Sequence, residues 1–144
     1  MPSAWQKHQI RVRYQETDQM GVVYHTNIMN WFEWGRTEWI RAYGFSYREL
    51  EAEQFMLPVV EAGMKLHKPA LYDQQLEIHT RVAELQPMKI RFENVIYTMD
   101  SVEEKIASGF SEHVWMSSDT RKIIRLDRVA PHWYERLNQT LISD

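Results

Sequence analysis

The 144-residue chain has no cysteine, which excludes disulfides, thiolate catalysis and cysteine-ligated metals together. That composition fits a reducing compartment, the cytoplasm. Glycine and proline are scarce, five of each, so no linker or low-complexity segment is evident, and no internal repeat is seen. Residues 1–144 therefore read as one domain. No apolar run approaches the roughly 20 residues a bilayer span needs. The first eight residues, Met1 to His8, lack the apolar centre of a secretory signal. The net charge of −3 gives the chain no electrostatic reason to bind nucleic acid. Signature motifs are missing too. Gly44-Phe45-Ser46-Tyr47-Arg48 lacks the closing glycine of a nucleophile elbow, and the six histidines form no H-E-x-x-H. No metal and no cofactor is expected. Neither a P-loop nor G-x-G-x-x-G is present, so a phosphate-bearing ligand has to be met by side chains.

Aromatic residues, in contrast, are abundant: 12% of the chain, with six tryptophans. Rings that exceed what one small core holds tend to end at subunit interfaces or in apolar pockets, which points to an oligomer.

Periodicity gives an α+β layout. Residues 8–14 alternate Ile10, Val12 and Tyr14 against Arg11 and Arg13, as a strand does. Ile28, Trp31, Phe32, Gly35, Trp39 and Ile40 then recur at helical steps, with Asn30, Glu33, Thr37 and Arg41 opposite. Asn27 is the expected N-cap and Gly44 the expected stop. Gly35 in mid-helix predicts close packing on another element. A shorter helix is expected from Ser46 to about Gln54, with Glu49 completing a capping box. Strands follow at Leu57–His67, Gln75–Leu85, Lys89–Met99 and Glu104–Met116, with a short one at Lys122–Leu126 and a helix after Pro131. Short connections imply antiparallel pairing, so the long strands after the helix are expected to form a meander. The apolar stripe of the long helix must be buried, and the sheet is the only large partner, so the sheet should wrap the helix.

The stretch Tyr14-Gln-Glu-Thr-Asp18-Gln-Met-Gly-Val-Val-Tyr-His25-Thr-Asn27 carries the chemistry. Asp18 stands just before a helix start, where backbone N–H groups lack intrahelical partners. A carboxylate beside such donors suits attack on an activated carbonyl, with Asp18 as nucleophile or general base. The bland alternative is a turn or capping aspartate. His25 brings a side chain able to orient or share a proton and a backbone N–H at the helix start. Tyr14 offers a hydroxyl from a strand end. Glu33 reads first as half of an exposed pair with Arg36. The tryptophan cluster reads mostly as core, with one or two rings lining a pocket. Lys89 with Arg91, and Arg121 with Lys122, are the basic pairs available to phosphate.

With these residues in view, the sequence resembles the hotdog-fold acyl-CoA thioesterases of the 4-hydroxybenzoyl-CoA type, and the branch that includes the bacterial Tol–Pal-associated thioesterase in particular. The resemblance rests on Val12-Arg13-Tyr14 through Gly44-Phe45. It is densest at Glu16-Thr17-Asp18, at Met20 to Asn27, and at Phe32-Glu33 with Arg36 to Trp39. It continues more loosely through His67-Lys68-Pro69-Ala70 and Asp73. It implies a hotdog fold, a curved antiparallel sheet wrapped around a long central helix. It implies Asp18 as the catalytic carboxylate, with His25 and Tyr14 as accessory groups and the His25 N–H on the thioester carbonyl. Val23, Tyr24, Asn27, Trp31, Glu33, Lys89 and Arg91 are then the substrate-binding candidates. The implied substrate is acyl-CoA, or an acyl carrier protein thioester, and the implied assembly is a homodimer or homotetramer with subunits joined edge to edge. Ile28-Met29 departs from the aromatic pair commoner in relatives and alters the shape of the acyl pocket. Competing expectations are a hotdog hydratase or dehydratase using His25 with Glu33, and a non-catalytic acyl-CoA-binding protein.

Overall fold

The computed structural model describes residues 2–43 and 47–141, with the backbone alone at Tyr47. The elements in chain order are β1 (Gln6–Arg11), a 3-10 turn (Tyr14–Glu16), α1 (His25–Ala42), α2 (Tyr47–Ala52), β2 (Phe55–Met56), β3 (Val59–Leu66), β4 (Gln75–Leu85), β5 (Lys89–Thr98), β6 (Lys105–Val114), β7 (Met116–Ser117), α3 (Leu126–Val129) and α4 (Pro131–Asn138). Five strands form one antiparallel sheet in the order β1-β4-β5-β6-β3, and β2 pairs with β7. Register shifts at Val59/Glu61, Val82/Glu84 and Ile96/Tyr97 add local bends to the natural twist, and the sheet curves around α1.

The helix presents Ile28, Trp31, Phe32, Gly35, Trp39 and Ile40 to the core, as the periodicity predicts. Gly35 permits the contact. A Cβ built there meets Thr80 Oγ1 at 2.3 Å, above a buried Thr80 Oγ1–H to Asn94 Oδ1 hydrogen bond of 2.8 Å. Gly109 on β6 serves the same end for Phe32, whose ring would lie 2.5 Å from an added Cβ. Two apolar clusters result. One joins Trp39, Phe92, Trp115 and Trp133 toward the far end of the helix, and the other joins Ile28, Trp31, Ile78 and Ile106 toward its start.

Several expectations change. Tyr14 leaves the strand for the 3-10 turn and is 76% exposed, edge-on to Tyr72, so it contributes nothing to the core. The helix begins at His25 with Tyr24 as N-cap, not at Asn27, because Asn27 uses its amide elsewhere. Trp34 lies 43% exposed against His8 instead of joining the core. The stop at Gly44 and the Ser46 cap lie outside the described residues. In place of a strand at Lys122–Leu126 there is a single Ile123–Met116 bridge, followed by α3.

The strands after α1 do not form a simple meander. β3 lies on the outer edge beside β6, so the chain passes β6 and β5 to reach β4, a span of about 14 Å at strand spacing. Residues 67–74 make that crossing at one end of the sheet, beside the start of α1. Gly35→Ala should lower stability by about 1–3 kcal/mol through overpacking against Thr80. Urea denaturation checks it, and an unchanged midpoint contradicts the close contact.

Candidate active site

Residues 17–23 form a miniature hairpin. Thr17 bridges Val23, the Asp18 N–H donates to the Val22 carbonyl at 2.8 Å, and the Gly21 N–H donates to the Asp18 carbonyl at 3.1 Å. Gly21 takes φ +75°, a left-handed conformation that favours glycine. The crossing segment clamps this hairpin, since the Val23 N–H donates to the Ala70 carbonyl at 2.8 Å and Val22 bridges Leu71.

Within the hairpin, Asp18 Oδ1 accepts from the Met20 N–H at 2.8 Å and the Val22 N–H at 3.3 Å. The turn role is therefore real, and it occupies one oxygen. Oδ2 receives no hydrogen bond from any described residue. Asp18 is half-buried, so its carboxylate is held by one oxygen and presents the other.

Glu16 connects the hairpin to the helix. Its carboxylate is buried and accepts from the Arg13 N–H at 2.8 Å and from the Trp31 indole N–H at 2.9 Å, with the Arg13 guanidinium 3.4 Å away. Its carbonyl oxygen accepts from the Tyr24 N–H at 3.0 Å and from Asn27 Nδ2 at 2.9 Å. Burial by itself raises the Glu16 carboxyl. The Arg13 N–H, the Trp31 N–H and the Arg13 guanidinium outweigh it and hold the group below the 4.5 of a free glutamate.

The first two N–H groups of α1, on His25 and Thr26, donate to no other described residue, in the position where a helix start offers free donors. His25 lines a cavity of about 280 Å³, so this helix start stands at the cavity wall. Val22, Val23, His25 and Ile28 form one wall, and Leu66, His67, Ala70 and Ile106 are among the residues of the other. His67 Nε2 lies 2.8 Å from Ser108 Oγ, and Lys68 is ion-paired with Glu104 at the rim. The lining is mainly apolar.

Of the residues expected from sequence, His25 and Val23 line this cavity, and Asp18 is one hydrogen bond behind Val22. Tyr24 and Asn27 build the helix entry. Trp31 is buried with its N–H committed to Glu16, so it supports the site from behind. Glu33 is exposed, about 12 Å along α1 from His25 at the helical rise. It makes no ion pair with Arg36, which is buried. Lys89 and Arg91 lie at the opposite end of β5, Lys89 near Glu112 and Arg91 stacked over Phe110. Lys89 is roughly 23 Å along the strand from Ile96, the residue whose cross-strand partner Ala107 adjoins the cavity wall. The sequence alone assigns Glu16 no separate role and does not mark His67 as a wall residue. A carboxylate whose partner lies fifteen positions away leaves no periodic trace, and His67 depends on the crossing of the sheet.

A bent antiparallel sheet wrapped around one long helix, with a carboxylate hairpin at the helix start, defines a hotdog fold. The chain belongs to the thioesterase-like superfamily, whose family model matches residues 12–136. It is 34% identical over 128 residues to a putative acyl-CoA thioesterase, YneP, of Bacillus subtilis, covering 89% of this chain and 91% of that protein. It is 35% identical over 83 residues to the acyl-CoA thioester hydrolase YbgC of Escherichia coli, covering 58% of this chain and 62% of that one. The solved structure of a DHNA-CoA thioesterase from Staphylococcus aureus superposes with a TM-score of 0.87 at 32% identity, over 94% of this chain and 89% of that one. The chain is accordingly an enzyme, a thioester hydrolase.

The buried glutamate makes the junction acid-sensitive. Its folded carboxyl titrates below the unfolded 4.5, so its contribution is complete above that value and is lost as pH falls through the folded one. Glu16→Gln should cost about 1–3 kcal/mol at neutral pH. It should also lose less stability than the parent chain between about pH 6 and about pH 3. Thermal melts across that range check it, and parallel curves for the two proteins contradict it.

Proposed function

We propose that the chain hydrolyses acyl-CoA thioesters to a free acid and CoA, with Asp18 as the reacting carboxylate. One observation carries this reading: Asp18 is fixed through Oδ1 with Oδ2 unengaged among the described residues, one hydrogen bond behind a cavity that His25 lines, at a helix start whose His25 and Thr26 N–H groups are unengaged among those residues. The thioester carbonyl oxygen accepts from those N–H groups as negative charge develops on it. One such donor is typically worth on the order of 10²–10³ in rate. Asp18 Oδ2 either attacks the carbonyl carbon or removes a proton from the water that does. The C–S bond breaks, and the CoA thiolate leaves with little need of an acid, since a thiol of this kind titrates near 8.5 if cysteine is a guide. Water supplies the hydroxyl of the product acid. Acyl carrier protein thioesters share the pantetheine arm and form the natural comparison substrate.

The apolar walls from Val22, Val23, Ile28 and Ile106 suit the acyl group. The 4-hydroxybenzoyl-CoA type and its Tol–Pal-associated branch belong to this reading through the motif from Glu16 to Asn27, and a cytoplasmic location goes with it. Hydratase chemistry through a His25–Glu33 pair is disfavoured, because the two residues stand about two helical turns apart.

Assembly into dimers is part of the proposal. Strand β3 is a sheet edge, and Val59, Val60 and Leu66 on it are more than half exposed. An uncovered strand edge of this kind is a template for pairing. Two β3 strands paired antiparallel bring the Val59 end of one copy to the Leu66 end of the other. Since Val59 and Ile90 both register with His113, the start of β5 in the second copy, with its Lys89 and Arg91, then approaches the cavity of the first. Those cations would meet CoA phosphates.

Asp18→Asn preserves an Oδ1 acceptor for the Met20 and Val22 N–H groups, so the fold should persist. Thiol release from acyl-CoA should fall by on the order of 10²–10⁴-fold. Spectroscopic assay of short, long and aromatic acyl-CoAs, with acyl carrier protein thioesters alongside, checks it. Turnover within a few-fold of the parent protein contradicts the assignment of Asp18.

A further inference from the structure

Arg36 is one of five described residues with a buried side-chain nitrogen that has no hydrogen-bond partner, and the one that carries a permanent charge. It is 8% exposed, its Nε is buried without a hydrogen-bond partner, and it forms no ion pair with any described residue. His113, close enough to feel the charge of Arg36, is of no help to it. His113 donates from Nδ1 to the Leu57 carbonyl at 2.9 Å and accepts at Nε2 from Ser111 Oγ at 2.8 Å. Burial, reinforced by the positive Arg36, holds His113 below 6.5 and so uncharged at neutral pH, against the Leu57 bond that raises it. Nε is the buried part of this guanidinium, and a charged group largely removed from water with no counter-charge among the described residues is costly enough that folded proteins tend to pair it.

The place of Arg36 on the helix shows where the counter-charge must come from. Phe32, one turn earlier on the same face, rests over Gly109 of β6, and Arg36 neighbours His113 of β6. This flank of α1 therefore looks toward the β6–β3 side of the sheet, where β3 is the outermost strand and stays largely uncovered. Glu33 shares the flank, exposed and without an ion pair among the described residues. Its own-chain route to Arg36 is not taken, although the i,i+3 spacing allows it.

The register supplies the geometry. The centre of β3 falls at Ala62–Gly63, and Ala62 pairs with Ser111, midway between Gly109 under Phe32 and His113 beside Arg36. A two-fold axis through the strand centre thus passes at the level of about residue 34 of α1. Two helices related by that axis run antiparallel, and position 33 of one stands opposite about position 35 or 36 of the other.

We propose that Arg36 and Glu33 form a reciprocal ion pair between two copies of this chain, made twice across the two-fold axis. The pair rests on the edge-to-edge dimer proposed above and adds the charge that selects its register. It gives the guanidinium a carboxylate that no described residue of its own chain supplies, and it makes the isolated subunit carry an uncompensated charge that a correctly registered partner removes.

The test is the dimer dissociation constant by sedimentation over a dilution series, on the whole chain. Glu33→Gln should raise the constant at least about tenfold, because it leaves Arg36 buried and unpaired. Adding Arg36→Met to that variant should return it to within a few-fold of the parent value, since removing both charges costs less than removing one. An unchanged constant for Glu33→Gln, or further weakening in the double variant, overturns the ion pair while leaving the dimer standing. A parent protein that sediments as a monomer at every concentration overturns both. A second readout exploits the absence of cysteine. Chains carrying Glu33→Cys mixed with chains carrying Arg36→Cys should form a disulfide-linked dimer faster than either alone, and equal rates overturn the pairing.

Discussion

The front of the molecule hangs from one buried carboxylate. Glu16 is held by an indole N–H from the helix and a backbone N–H from the strand exit, while its carbonyl receives the Tyr24 N–H and the Asn27 amide. Those contacts tie the strand exit, the Asp18 hairpin and the first turn of α1 into one unit. Hydrogen bonds to a charged acceptor contribute about 1.5–3 kcal/mol each, and a buried acceptor left short of donors costs a comparable amount. The arrangement is therefore cooperative. With Trp31 in place Glu16 stays ionised and buried, and with Glu16 in place the helix starts at His25 with its first N–H groups free.

Close approach between the helix and the sheet supplies the rest of the frame. Gly35 over Thr80 and Gly109 under Phe32 let the backbones come near enough for the sheet to curve around α1. The strand order sends the connection after β3 across the sheet end, and the crossing forms the cavity wall opposite His25. The same topology leaves β3 at the edge, with Arg36 beside His113 of its neighbour β6. The cavity beside the Asp18 hairpin and the proposed subunit interface are thus two results of one strand order.

Much of this was legible in the sequence. The helix announced its buried face through Ile28, Trp31, Phe32, Gly35, Trp39 and Ile40, and the long strands through alternation. Gln75–Leu85 matches to the residue, and the other long strands agree to within about two residues at each end. The densest motif, Glu16 to Asn27, coincides with the hairpin that holds Asp18. What stayed hidden depends on contacts distant in sequence. Tyr14 fitted the alternation of a strand, but the 3-10 turn rotates it outward to solvent. Asn27 looked like a cap because it is an asparagine before an apolar run, yet its amide answers to Glu16. The burial of Arg36 follows from a helix flank that periodicity alone reads as amphipathic, and Lys89 and Arg91 could be placed only once the strand order was known. The strand order itself, with β3 moved to the edge, has no local signature.

The central claim is that the Glu16 junction positions Asp18 against the free N–H groups of the helix start. The most direct test is steady-state thiol release by Trp31→Phe, which removes the indole N–H from Glu16 and leaves every cavity-lining side chain in place. If the junction positions the carboxylate, kcat falls at least tenfold with KM for acyl-CoA little changed and the circular dichroism spectrum retained. A kcat equal to that of the parent protein, in a variant that keeps its fold, contradicts the account.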